Sequence, residues 1–158
     1  MFPNARLIAT DDPRVAKFIQ GFINWWHEAK PEVIFNEQFI SCTYYAGTCD
    51  LGCHIDGEPW LIDVKTSAGV YTSHHLQTAA YASCLSETRW RRGVLLLKTS
   101  TKKGWQMVES DRSYKEDLDA FMGCRAVYHR EHGFKPIPYE EKEAAPTTFR
   151  LEQHNESI

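Results

Sequence analysis

The dipeptide Asp56-Gly57 constrains this chain more than any other feature. It stands between two runs rich in strand formers, TCDLGCHI (48–55) and PWLIDVKT (59–66). An Asp-Gly pair readily takes the positive φ values of a two-residue hairpin, so the two runs are expected to pair antiparallel. With Asp56 and Gly57 at the centre, Ile55 pairs with Glu58, and counting outward without a bulge sets Asp50 opposite Asp63. Directly opposed residues have Cβ atoms about 4.5–5.5 Å apart. Two carboxylates that close repel, and a bridging divalent cation reverses the sign of that interaction. Side chains alternate along a strand, so Leu61, Asp63 and Lys65 share one face, while Ile62 and Val64 enter the other as core.

The flanking segments read as helices and further strands. Asp12-Pro13 is an N-cap followed by a first-turn proline. Val15, Phe18, Ile19, Phe22, Ile23 and Trp26 then recur at helical spacing, and the helix should stop near Ala29, ahead of Pro31. VIFNEQFISCTYY (33–45) reads as a strand that Gly47 breaks. Residues 67–71 form a loop, and a helix follows from about Ser73 to Leu85. GVLLLKT (93–99) is an apolar strand inside the sheet, and Lys103-Gly104 turns the chain into WQMVE (105–109). Ser113 with Glu116 has the spacing of a capping box, opening a helix that carries Leu118, Phe121, Met122, Arg125 and Tyr128 to about His132. The expected fold is α/β, a central mixed sheet flanked by helices, in one domain over 1–135. Residues 136–158 form a polar, acidic tail.

Composition narrows the function. Eighteen Lys and Arg against 21 Asp and Glu give a net charge of −3, which argues against binding nucleic acid through bulk charge. No glycine-rich phosphate loop is present, so a nucleotide cofactor is not expected. The five cysteines, Cys42, Cys49, Cys53, Cys84 and Cys124, include no CxxC pair and read as reduced thiols. No apolar run approaches the roughly 20 residues needed to cross a bilayer. The N-terminus lacks the pattern of a signal peptide, so the expected location is the cytoplasm, that of a phage-infected bacterial host included.

Glu37 shares its strand face with Phe35 and Phe39 if alternation holds, and a carboxylate between two aromatics needs a cation, a donor or water. Three acids and one lysine then lie on neighbouring strands. Carboxylates in such a set suit Mg²⁺, and the lysine suits a developing negative charge. The next helix adds Gln77 and Tyr81, four apart and so on one face, with His74 one turn earlier.

In order, Glu37, GTCD ending at Asp50, IDVKT with Asp63 and Lys65, and QTAAY from Gln77 to Tyr81 resemble the PD-(D/E)XK nuclease superfamily. The resemblance spans roughly residues 33–100 and is nearest to RecB-type and phage-type exonucleases with a QxxxY helix. It implies a restriction-endonuclease-like core and a metal-dependent DNA nuclease that hydrolyses phosphodiester bonds by metal-activated water, an exonuclease of the kind that serves DNA recombination and repair. It also implies that Asp50, Asp63 and the Val64 carbonyl ligate Mg²⁺ or Mn²⁺, with Glu37 completing or supporting the site. Lys65 would orient the water or stabilise the phosphate, and Gln77 and Tyr81 would hold the nucleic-acid backbone. Two departures stand out. The histidine motif that commonly precedes the acidic strand has only His27 as a candidate, and the cysteine pattern of cluster-bearing relatives is missing, so no iron–sulfur cluster is expected.

Around that core the charge turns positive. Residues 86–115 carry Arg89, Arg91, Arg92, Lys98, Lys102, Lys103, Arg112 and Lys115 against Glu87, Glu109 and Asp111. Arg89, Arg91, Arg92, Lys102 and Lys103, with Thr66, Ser67 and His74, are the candidate contacts to DNA ends or single strands, and Trp90 or Trp105 could stack on bases. A homo-oligomer threading its substrate fits such a scheme; a membrane partner does not. The alternatives are a non-catalytic nucleic-acid-binding or protein-interaction module on the same fold, and a metal hydrolase of small phosphodiesters.

Overall fold

Local capping signals set the helix ends. In the computed structural model, which describes residues 10–85 and 89–135, the first helix is α1 (Pro13–Ala29). The Asp12 carboxylate accepts the Arg14 N–H at 2.8 Å, and Pro13 occupies the first turn, where its missing donor does no harm. Lys30 ends α1 in a left-handed conformation, its N–H on the Trp26 carbonyl at 2.9 Å. Strands β1 (Glu32–Ser41), β2 (Ala46–Ile55) and β3 (Glu58–Lys65) follow, then helix α2 (Thr72–Ser83), strands β4 (Arg91–Leu97) and β5 (Trp105–Glu109), and helix α3 (Tyr114–Glu131). Ser113 and Glu116 make the capping box of α3 reciprocally, the hydroxyl accepting the Glu116 N–H and the carboxylate accepting the Ser113 N–H.

The five strands lie in chain order, β1-β2-β3-β4-β5. Every neighbouring pair is antiparallel except β3 and β4, and this parallel step needs the crossover that α2 supplies. The sheet is therefore mixed and interior strands are covered on both faces. On one face Trp25 and the half-buried Phe18, Phe22 and Trp26 of α1 pack on Leu51, Cys53, Trp60, Ile62, Leu95 and Leu97. On the other, Ala82 and Cys84 at the end of α2 pack with Leu85 on Phe35, Ile40, Cys49 and Leu61. α3 lies over α2 through Leu118, Met122 and Ala79. Leu61 and Ile62 thus enter opposite cores, as strict alternation on β3 requires. No helix among the described residues is long and apolar enough to cross a membrane.

Three expectations need correction. The strand expected over 33–45 ends at Ser41, and the chain turns at Cys42–Tyr45, where the Cys42 N–H bonds the Tyr45 carbonyl at 2.9 Å. Gly47 lies inside β2 rather than breaking a strand. A Cβ there would sit 2.8 Å from Cε1 of Tyr81, so glycine makes room for the ring. Tyr128, grouped with Leu118, Phe121 and Met122 in the spacing of the last helix, is exposed rather than packed with them. The tail over 136–158 lies outside the described residues.

Candidate active site

Asp56 and Gly57 take φ of 53° and 80°, and Ile55 pairs with Glu58 as the turn demands. Pairing then runs without a bulge to Leu51↔Ile62, where the ladder ends, and Asp50 and Asp63 are the next residues outward. The ladder changes character at that point. The Val64 N–H donates to Oδ2 of Asp50 at 2.7 Å. The carboxylate thereby fixes its own position and satisfies a strand donor at once.

Glu37 reaches this place by a route that alternation does not foresee. Strand β1 pairs with β2 through Asn36↔Leu51 and Gln38↔Cys49, which leaves Glu37 opposite Asp50. Leu51 faces α1 and Cys49 faces α2, although they are two residues apart. Both strands therefore switch faces at the Glu37–Asp50 step. Glu37 takes the strain of the switch, with φ of 47° in the left-handed region. The expected sharing of a face by Phe35, Glu37 and Phe39 fails for the same reason: Phe35 is 8% exposed and Phe39 64%. Glu37 itself is solvent-exposed, yet its charge, like those of Asp50 and Asp63, reaches the buried Cys49 thiol. That thiol is pushed up to about 12, first by burial; a backbone hydrogen bond from Leu51 opposes the rise and the three carboxylates add to it. Cys49 was not among the expected site residues, and nothing in its sequence context marks it.

Asp63 is the most buried member of the set, at 1% exposure. Lys65, two residues on and on the same face, donates to Oδ1 at 2.8 Å. Its Nζ is also 2.8 Å from Oδ2, but without hydrogen-bond geometry, so Oδ2 is buried with no hydrogen bond. Burial raises the Asp63 pKa, Lys65 opposes that rise through its hydrogen bond and charge, and the Asp50 charge adds to it. His74 also lowers it through charge, which puts the start of α2 within electrostatic reach. The His74 ring accepts the Tyr71 N–H at Nδ1, 3.2 Å, and so caps α2.

Helix α2 brings Gln77 and Tyr81 to the same region. Gln77 Nε2 donates to the Tyr81 hydroxyl at 2.5 Å, and the Tyr81 ring lies against Gly47 of β2. The Tyr81 phenol is raised first by burial, with Gln77 opposing and Asp63, Asp50 and Cys49 adding to the rise. Thr66 is exposed just past β3, and the Ser67 hydroxyl donates to the Gly69 carbonyl at 2.7 Å, shaping the loop ahead of α2.

The basic residues do not gather with this set. Arg92 is 7% exposed and bonds Asp117 at 2.8 Å, so it serves the fold. Arg91 and Arg89 lie at the start of β4, whose register sets Arg91 beside Trp60 and Leu96 beside Lys65, five residues further along. Arg91 also forks onto Glu109 at 2.6 and 2.9 Å. Lys102 and Lys103, in the β4–β5 turn, lie beyond the Lys65 end of the sheet. Lys102 is exposed, while Lys103 bonds Glu28 at 3.0 Å and covers the Trp105 ring at 3.7 Å. Of the expected rim, Lys102 and Lys103 are thus the exposed basic residues at the right end, and Lys103 is already paired with Glu28.

Among the described residues no three His, Cys, Asp or Glu side chains form a ready ligand group. The chemistry of the pair nevertheless fits a hard divalent cation. Mg²⁺ commonly takes one or two carboxylates and keeps several waters, and the buried oxygen of Asp63 without a hydrogen bond is the kind of acceptor a cation satisfies. The fold and site define an α/β protein with an acid–acid–lysine set on adjoining strands of a mixed sheet. Neither a comparison with protein-family models nor one with curated proteins finds a match to this chain.

Proposed function

We propose that the chain is a divalent-metal-dependent deoxyribonuclease of the PD-(D/E)XK type, an exonuclease on DNA ends or single strands. The observation that carries this reading is Asp63: a buried carboxylate held by Lys65, one oxygen of which meets only that ammonium and accepts no hydrogen bond, with the Asp50 carboxylate on the neighbouring Val64 N–H. In this reading Asp50, Asp63 and the Val64 carbonyl hold Mg²⁺ or Mn²⁺, and Glu37 supports them from the outer strand. The cation, when bound, supplies an acidified water and offsets charge on the phosphate. Lys65, whose side chain is 25% exposed, presents its ammonium to the attacking water or a phosphate oxygen. Gln77 and Tyr81, already joined, hold the phosphodiester backbone, with His74 beside them. The preference for ends follows the QxxxY group that the chain resembles.

The test is cleavage of end-labelled linear single- and double-stranded DNA beside closed circles, with Mg²⁺, Mn²⁺ or EDTA. Metal-dependent loss of linear DNA alone, abolished by Asp63→Asn in a folded protein, is the expected result. Cleavage of circles would make the enzyme an endonuclease. A second reading, a non-catalytic nucleic-acid-binding or protein-interaction module, draws on the exposure of Glu37 on the edge strand β1. DNA binding unchanged by metal, EDTA or Asp50→Asn, with no cleavage, would favour it.

A further inference from the structure

Two thiols meet where the β1–β2 turn packs on the end of α2. Cys42 opens that turn, its N–H on the Tyr45 carbonyl at 2.9 Å. The Tyr45 hydroxyl contacts the Ser83 hydroxyl, which in turn donates to the Ala80 carbonyl at 2.8 Å. Cys84, the next residue, caps α2 with its N–H on the Tyr81 carbonyl at 3.1 Å. The turn and the helix end are thus tied beside the thiols by an independent contact, and Cys42 packs against the buried cluster that holds Cys84, close enough to bear on its thiol. Cys84 is buried and Cys42 half-buried. The other three cysteines have no such neighbour arrangement: Cys49 and Cys53 enter opposite faces of β2, and Cys124 is exposed on α3.

We propose that Cys42 and Cys84 form a two-thiol oxidation site, which a peroxide converts into an intramolecular disulfide. Cys42 is the entry point because solvent reaches it. Its thiolate sulfur attacks one peroxide oxygen, the O–O bond breaks, and a sulfenic acid and water result. The Cys84 sulfur then attacks the Cys42 sulfur; the S–O bond breaks and the hydroxide leaves as water with the Cys84 proton. Two thiols are oxidised, one peroxide is reduced, and two waters are released. Burial, first, and the neighbouring Cys42 push the Cys84 thiol up to about 12, which keeps it protonated at neutral pH and makes the second step the slower one. The packing of Cys42 against the cluster that holds Cys84 offsets this by making that step intramolecular. The product bond, about 2.05 Å long, would tie the β1–β2 turn to α2 three residues beyond Tyr81. It would close a long loop of chain, so the oxidised protein is expected to melt at a higher temperature.

The test treats the full chain with hydrogen peroxide, removes the excess with catalase, denatures, and counts thiols with a maleimide. The expected result is a loss of two of the five thiols, reversed by dithiothreitol, with a monomeric cross-linked peptide joining Cys42 to Cys84. Cys84→Ser should leave a dimedone-reactive sulfenic acid on Cys42, and Cys42→Ser should retain its remaining thiols; circular dichroism checks that both variants fold. Five intact thiols after treatment, a cross-link between any other pair, or the same loss in Cys42→Ser would overturn the proposal.

Discussion

Asp63 and Asp117 are both buried carboxylates with a basic nitrogen 2.8 Å away, yet their surroundings differ. Asp117 sits in the first turn of α3, where the helix end favours a negative charge. It accepts Arg92 Nη1 at 2.8 Å and the Ser110 hydroxyl at 2.6 Å. The same guanidinium gives two further donors to the carbonyls of His75 and Arg112, both at 3.3 Å. One planar group therefore joins β4, α2 and the entry to α3, as arginine's fork of donors allows. Asp63 has Lys65 alone and a second oxygen with no hydrogen bond. The Arg92–Asp117 pair is tied to three further groups and serves the fold; the Asp63–Lys65 pair is tied to none among the described residues, and one Asp63 oxygen meets only the Lys65 ammonium, without a hydrogen bond. The same contrast explains why Arg92, although it stands in the basic stretch of the sequence, is unavailable to a phosphate.

The largest effect should come from the closed pair. Arg92→Ala leaves Asp117 buried without its charge partner and should cost about 3–5 kcal/mol of stability, read from urea denaturation. A loss below about 1 kcal/mol would break the comparison, placing Arg92–Asp117 among ordinary surface pairs. Lys65→Ala should cost less, about 1–3 kcal/mol. The lysine is partly exposed and makes one hydrogen bond, but its loss strands Asp63 in the interior. Equal losses in the two variants would mean that both pairs are structural.

Much of this contrast was hidden from the sequence, and the reason is physical. Signals carried by a few neighbouring residues were legible: Asp12-Pro13, Ser113 with Glu116, and Asp56-Gly57 each specify a local backbone geometry, and the structure has all three. Since hairpin register follows from its turn, the pairing from Ile55↔Glu58 out to Leu51↔Ile62, one step short of Asp50 and Asp63, was legible too. The turn at Cys42–Tyr45 was not. Its residues Cys-Thr-Tyr-Tyr favour strands, and distant partners hold it instead: Arg125 on the Tyr44 carbonyl at 2.9 Å, Phe121 against Tyr45, and Ser83 on the Tyr45 hydroxyl. The face switch at Glu37 belongs to two strands together, so period-two reading of either alone misses it. Arg92 counted as positive charge because nothing near it in sequence reveals Asp117, 25 residues on.

Glu37 offers a smaller test of how the open side is built. A glutamate at φ 47° is strained, whereas glycine takes that conformation freely at some entropic penalty within a strand. Glu37→Gly should therefore stabilise the fold by about 0.5–1 kcal/mol, measured by thermal unfolding, while weakening the proposed cleavage. A destabilised variant would mean that the carboxylate, not the backbone, holds the switch in place.

The smallest effect on stability, and the sharpest discrimination, should come from Asp63→Asn. At pH 7 it should change stability by less than about 0.5 kcal/mol, because the burial that disfavours the charge is relieved as the Lys65 bond is weakened, and the freed lysine can extend to solvent. The pH dependence carries the sign. The folded-state pKa of Asp63 is raised above the ordinary carboxylate value of 3.8. Between those two values the folded chain binds more protons than the unfolded one, so the group's contribution is fully present below 3.8 and is lost as pH rises through its folded value. The stability of the wild type minus that of Asp63→Asn should accordingly increase as pH falls from neutrality towards 3.8. Mg²⁺ or Mn²⁺ at neutral pH should act on the same group from the other direction, favouring the ionised form and raising the melting temperature of the wild type but not of the variant. Asp117→Asn provides the control: its carboxylate is already satisfied, so its variant should keep whatever response to metal the wild type has. A flat pH difference together with equal metal responses in all three proteins would make Asp63 a structural carboxylate like Asp117 and remove the observation on which the nuclease reading rests.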